Sequence, residues 1–327
     1  MGARTGAKTL EEQRRLVWDC CVKAETLVIV NPVSGGGRAL RAEARVAKLL
    51  RMHGHATDFA HSKNSVDLRE QAERGAREGY RYVVALGGDG AFHHLVEGIR
   101  ETEAVAGFFP AGNGNDIAAD LGIPADPLDA AGAFLKSAPK AIDLIRARFG
   151  DRGMAHYIGV GGMGLDAEAA HLANTKFKQL PGVTRYLAGA LWEFFHRGPI
   201  GLHAEIDGVA WDGRVLFAAV ANSTRYGSGI RIAPEAKMDD GWIDVALVQE
   251  VRLTGLMEAI PIVLTSGDLR GFPEVLRFRC KRIVLQTERP AKVHGDGELL
   301  GETPVELTVL SPAVRVMTPR ARADQGE

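Results

Sequence analysis

The chain has 327 residues, 46% of them hydrophobic, and carries 40 basic against 41 acidic side chains for a formal net charge of −1. That length fills one large or two ordinary cores without disulfide staples, and the near-zero charge excludes the global positive field that draws a protein to nucleic acid. Cys20, Cys21 and Cys280, two adjacent and one remote, make neither a disulfide framework nor a metal pattern, which suits a reducing compartment.

Residues 1–24 read as a helical extension. They lack the continuous apolar run of a signal peptide, and no later segment has the length of a membrane-spanning helix, so a soluble cytoplasmic protein is expected. From residue 25 to residue 139 strands alternate with helices: TLVIVNP, a helix over Arg38 to Met52, HATDFAH, a helix over Val66 to Glu78, YVVAL, a helix over Ala91 to Arg100, then AVAGFFP. Such alternation predicts a mostly parallel sheet with helices on its faces. Over 140–312 β-like runs bounded by Asp-Gly and glycine-rich turns dominate, which predicts an antiparallel β-sandwich. The last strand, AVRVMTP, is expected to carry 313–327 back to the first domain. Helical patterns interrupt the β half over His171 to Arg197 and Leu253 to Ser266. In the first of them Tyr186, Leu187, Ala190, Leu191, Phe194 and Phe195 share a broad apolar face flanked by basic residues. A membrane-surface helix and a helix packed on a sandwich both look like this.

Three glycine-bearing turns each follow a strand and precede a helix: NPVSGGGRA from Asn31, GGDGAF from Gly87 and PAGNGNDIA from Pro110. In a parallel sheet they emerge at one edge, where glycines let phosphates approach the backbone and helix N-termini offer free N–H donors. The chain has no G-x-x-x-x-G-K-[ST] loop. One formal G-x-G-x-x-G, Gly159 to Gly164, lacks a following acidic residue between Lys176 and Trp192 to hold a ribose. Asp89, with glycine on both sides, is either a carboxylate facing a magnesium nucleotide or a helix N-cap. His93 and His94 are adjacent on a helix, point about 100° apart and cannot readily chelate one ion. His53, His55 and His61 have no metal spacing and are expected to face solvent.

Five blocks in order, NPVSGGG, GGDG, FPAGNGNDIAADLGIP, ANSTRYGSGIRIAPEAKMDDGWIDVALV and HGDGELLGETPVELTVL, resemble the bacterial diacylglycerol kinase catalytic family, soluble lipid kinases related to sphingosine and ceramide kinases. The resemblance implies a phosphofructokinase-like, Rossmann-like three-layer nucleotide domain, an antiparallel β-sandwich for the lipid, and a cleft between them. It implies ATP- and Mg2+-dependent phosphorylation of a lipid hydroxyl, with diacylglycerol giving phosphatidic acid as the leading case. Position by position, it puts Asn31, Ser34 and Gly35 on the nucleotide and Gly87, Gly88, Asp89 and Gly90 on its phosphates and Mg2+. Asn113, Asn115 and Asp116 belong to the third turn. Glu298 takes the place of the general base, Asp296 precedes it in the same turn, and Asp143 joins the polar network of the site. The KMDDGW stretch matches a structural Mg2+ site with Asp240 as side-chain ligand and backbone oxygens near Lys237 and Trp242.

The pattern departs in places. After GGDG the family commonly continues with Thr, an apolar residue and Asn-Glu, whereas Ala91, Phe92, His93 and His94 follow here, so His94 removes an acceptor. His61 or Ser62 stands where a nucleotide-contacting Thr is common. Arg277, Arg279 and Lys281 alternate onto one strand face, either against anionic headgroups or in solvent, and Tyr226 suits a wall of the cleft. The resemblance also implies transient contact with a membrane surface and a homodimer. Two alternatives stay open: a nicotinamide dinucleotide kinase, since GGDG marks those enzymes too, and a catalytically silent lipid- or nucleotide-binding protein, suggested by His93 and His94.

Overall fold

The computed structural model describes residues 24–164, 198–225, 227, 229–251 and 271–320, with isolated positions between 175 and 192 and at 255 and 262. The N-terminal extension before residue 24, most of the two helical interruptions and Tyr226 lie outside the described residues. Among the described residues no helix is long and apolar enough to cross a membrane.

A fully buried apolar run makes β1 (Thr26–Val30) a central strand. With β2 (Thr57–His61), β3 (Tyr82–Gly87) and β4 (Val105–Pro110) it forms a parallel sheet in the order β4-β3-β1-β2. Helices α1 (Ser34–Met52), α2 (Ser65–Arg77) and α3 (Asp89–Ile99) cover the sheet and bury Leu50, Leu68, Phe92 and Leu95 against it. A short α4 (Asp116–Asp120) and α5 (Pro127–Phe134) follow. The sequence reading omits α5, whose signal is local: Asp126 accepts hydrogen bonds from Leu128 N and Asp129 N at 2.8 and 3.3 Å, and Pro127 opens the helix.

His55 corrects an expectation. Its ring packs edge-on against Phe134 and its Nε2 lies 2.7 Å from Thr26 Oγ1, so it belongs to the sheet edge rather than to solvent. Burial lowers its pKa, against the nearby charge of Glu25. His61 is exposed and pairs with Glu43 at 2.8 Å. Ser62 is buried, its Oγ donating to Val30 O at 3.2 Å.

The second half is antiparallel: β5 (Ala138–Arg148), β6 (Met154–Tyr157), β7 (Val160–Gly164), β8 (Ile200–Ile206), β9 (Val209–Ala221), β10 (Ile243–Gln249), β11 (Val275–Cys280), β12 (Arg282–Thr287), β13 (Lys292–Gly295), β14 (Glu298–Glu302) and β15 (Val305–Thr318). Strand β9 changes partner along its length, pairing β8 over Val209–Val215 and β7 over Phe217–Ala221. It thereby serves both leaves of a sandwich filled by Tyr157, Met163, Leu202, Leu247, Leu285 and Leu307. Strand β15 joins the halves: Val305 to Thr308 pair with β12, Val314 to Thr318 pair with the start of β5, and Val316 pairs in parallel with Ala106 of β4. The two domains therefore share one continuous sheet, and the ends of the parallel strands face the β13–β14 turn.

Candidate active site

Strands β1, β3 and β4 end side by side, and the turns after them pack backbone to backbone. Asn31 N donates to Leu86 O at 3.0 Å and Ala111 N to Gly87 O at 2.5 Å. Gly35, Gly36 and Gly37 hold φ of 57°, 62° and 83°, so regular helix begins only after them. A Cβ on Gly35 would overlap the carbonyl oxygen of Ala111. A Cβ on Gly112 would lie 2.6 Å from Gly88 Cα. Only glycine permits three turns to meet this closely. Ser34 Oγ and Asn31 Cβ border Gly87, so the first and second turns share a wall.

Arg38, which the sequence reading did not single out, ties α1 to the third turn through Nε to Ala111 O at 3.2 Å and Nη2 to Gly112 O. Its signal was a basic residue directly after the glycine run. Asn115, at φ 60°, accepts from Gly112 N and donates to Gly112 O, both at 3.0 Å. Its amide is spent on closing the turn. Asn113 is exposed on the same turn.

Asp89 acts as a cap, but for α4 rather than for its own helix. Its two oxygens accept from Asp116 N and Ile117 N at 3.1 and 3.2 Å. Burial first, then the neighbouring Asp116, push its pKa up to about 7 despite those bonds. Asp89 and Asp116 thus put two carboxylates side by side at this turn, and among the described residues no group of three or more such side chains stands together as a metal site. The free protein should therefore lose stability as pH rises. Unfolded, Asp89 releases its proton near about pH 3.9, while the folded chain keeps it to about 7, so the folded state binds more protons in between. Thermal unfolding of the wild type should fall relative to Asp89→Asn across that window, whereas parallel curves would return Asp89 to the ordinary carboxylate range.

The second domain supplies the opposite wall. Asp296, at φ 52° in the β13–β14 turn, accepts from Ile158 N and Gly159 N at 2.8 Å each and meets His93 Nδ1 at 2.9 Å. Both side chains of that pair are buried. Burial opposes charge on His93, but the hydrogen bond to Asp296 and the charges of Asp296, Glu97 and Glu298 prevail and raise its pKa. Glu298 opens β14 with its side chain half exposed, and its Oε1 lies 3.7 Å from His94 Nε2. The same oxygen is 3.8 Å from where a Cβ of Gly90 would stand, so the carboxylate hangs over the start of α3. One turn along α3, Glu97 lies 3.2 Å from His156 of β6. The sequence reading did not single out this pair. The position of Glu97, four residues after His93, was the available signal.

Asp143 and Asp240 stand apart from this cluster. Asp143 is buried, its N–H donating to Met238 O and its Oδ2 accepting from Gly241 N, both at 2.7 Å. Among the described residues no hydrogen bond or ion pair joins it to Asp89, Asp296 or Glu298. It supports the KMDDGW turn, while Asn222 Nδ2 donates both to Asp143 O at 3.0 Å and to Ile158 O at 2.8 Å. In that turn Asp240 accepts from Trp242 N at 3.1 Å and pairs with Arg279. Arg279 and Lys281 stand over the Trp242 ring at 5.4 and 5.0 Å, and Arg277 donates to Ile232 O at 2.7 Å.

Arg277, Arg279 and Lys281 stay exposed while making these contacts, and the pairing of Asp240 with Arg279 puts a guanidinium where the resemblance implies a structural Mg2+ with backbone oxygens near Lys237 and Trp242. Adding a chelator should leave the melting temperature within about a degree, since no ion would be lost from the native state. A fall of several degrees would restore the metal at Asp240.

One domain thus brings three glycine turns together at one edge, and the other hangs a carboxylate over them. Residues 25–147 match the diacylglycerol kinase catalytic domain, and residues 159–318 match the YegS C-terminal NAD kinase beta sandwich-like domain. The chain belongs to the bacterial diacylglycerol kinase catalytic-domain family and is a kinase. It is 28% identical over 298 residues to a diacylglycerol kinase of Mycobacterium tuberculosis, covering 89% of this chain and 94% of the relative. It is 24% identical over 301 residues to the diacylglycerol kinase of Bacillus subtilis, covering 91% and 97%. A crystal structure of a diacylglycerol kinase from Bacillus anthracis superimposes with a TM-score of 0.71 at 20% identity over 91% of this chain and 97% of that one, which shows the fold.

Proposed function

We propose that the chain transfers the γ-phosphoryl group of ATP, bound with Mg2+, to a lipid hydroxyl, and that diacylglycerol giving phosphatidic acid is the reaction. The relatives' names supply the acceptor class. The observation that supports transfer is the place of Glu298: a half-exposed carboxylate from one domain over the first turn of α3, whose glycines belong to the cradle of the other.

In this reading Asn31, Ser34 and Gly35 border the nucleotide, Gly87, Gly88 and Gly90 let its phosphates reach the backbone, and Asp116 with Asn113 and Asn115 completes the rim. Asp89 would hold the Mg2+, which supplies charge neutralisation when bound. Glu298 takes the proton of the acceptor hydroxyl as its oxygen attacks the γ-phosphorus and the bridging oxygen leaves with ADP. No covalent enzyme intermediate is needed. His93 and Asp296 hold the two walls together, and Arg38 holds the third turn against α1. The lipid would be met at a membrane surface, by a homodimer.

The match to an NAD kinase-like sandwich favours a second reading, phosphorylation of a nicotinamide dinucleotide. Incubation with γ-labelled ATP and Mg2+ separates the two, using diacylglycerol in mixed micelles and NAD in a parallel reaction. Labelled phosphatidic acid is expected. Label on the dinucleotide alone would replace the lipid reading.

A further inference from the structure

Two adjacent histidines of α3 reach the same turn of the second domain, with rings 5.0 Å apart and nearly perpendicular. His93 meets Asp296, whose carboxylate also takes Ile158 N and Gly159 N, so the turn is anchored two residues before Glu298. His94 differs. Its Nε2 is shielded from solvent, makes no hydrogen bond among the described residues, and faces Glu298 Oε1 at 3.7 Å. That gap is too long for a hydrogen bond but short enough for strong charge coupling.

We infer that His94 is a positioning residue that keeps Glu298 ionised and turned toward the phosphate path. The inference rests on the reading of Glu298 as general base. Bound phosphates would drive a neighbouring carboxylate toward protonation, and a protonated Glu298 cannot accept the proton of the acceptor hydroxyl. A protonated imidazole beside a carboxylate would oppose that effect. In the folded protein His94, with a smaller contribution from the charge of His93, holds the Glu298 pKa below its ordinary value, although partial burial acts the other way.

The other titratable groups facing this pair are Asp89, His93 and Glu97 on α3, Asp296 in the β13–β14 turn and His156 on β6. His93 is committed to Asp296 and Glu97 to His156. His93 still lowers the Glu298 pKa through its charge, but His94 is the larger influence of the two. The sign follows: removing the imidazole lets the carboxylate pKa rise, and a carboxylate in its place raises it further.

The test is kcat at saturating ATP from about pH 3.5 to about pH 9 for the wild type, His94→Gln and His94→Glu. The acid limb should move to higher pH by about half to one unit in the glutamine variant, and further in the glutamate variant. Displacement graded with charge is something a space-filling role would not produce. A lower kcat with the limb unmoved in both variants would overturn the inference. If no acceptor yields product, the kinase reading fails separately. The 13C carboxyl resonance of Glu298, assigned by its loss in Glu298→Gln, then carries the test in the full chain. Its titration midpoint should rise in the same order, and coincident midpoints would overturn the inference.

Discussion

Replacing Glu298 with glutamine is expected to lower kcat by about 10²- to 10⁴-fold, the range for a lost general base, with ATP affinity changed by no more than about twofold. The side chain comes from β14, is half exposed, and faces His94 at 3.7 Å as its ion-pair partner among the described residues, so the substitution removes little that holds the fold together. A half-exposed ion pair of that length contributes well under about 1 kcal/mol. Steady-state kinetics and ATP titration therefore separate the roles. A comparable fall in both kcat and ATP affinity would move Glu298 from the acceptor hydroxyl to the nucleotide.

Gly35→Ala should be the most damaging small change in the cradle. It forces a side chain into φ 57° and pushes its Cβ into the carbonyl oxygen of Ala111. The left-handed backbone costs about 1–2 kcal/mol and the overlap about 1–3 more. A total of roughly 3 kcal/mol lowers the melting temperature of a chain this size by about 4–5 °C. Gly36→Ala is the internal control, because φ is 62° but nothing lies within 4 Å of the added carbon. It should show only the backbone part, and should keep ATP binding, which Gly35→Ala should lose. Equal melting temperatures for the two variants would mean that the approach of the first turn to the third is not what requires glycine.

Much of the architecture was legible because its signals are local. Buried apolar runs such as Val83 to Leu86 followed by glycines announce strands that end at one edge, and Asp-Gly turns announce the sandwich. Helix α5 escaped because its Ala-rich sequence carries a weak amphipathic pattern, although Asp126 and Pro127 marked its start. The glycines, Asp89 and Glu298 were legible as residue types in a family pattern. Their mutual geometry was not, since it depends on pairs far apart in the chain.

Nothing near His93 indicates that Asp296, 203 residues away, will be its partner. Likewise the pairing of Arg279 with Asp240, 39 residues earlier, turns an apparent metal ligand into half of an ion pair. Asn115 shows a third kind of limit. As a residue type it suits a nucleotide contact, yet its left-handed backbone aims both amide atoms at Gly112. His55 reads as a solvent-facing residue opening a strand until Phe134 and Tyr82 fold against it.

The central claim is that ATP phosphates lie over the three glycine turns with Glu298 facing the transferred group. A crystal structure with Mg2+ and a non-hydrolysable ATP analogue tests it most directly. The account predicts phosphates against Gly35, Gly88 and Gly112, the metal on Asp89, and the terminal phosphate between the start of α3 and Glu298. Phosphates bound elsewhere would contradict it, for example in the cavity of about 570 Å³ beside Lys140, Lys237 and Arg320.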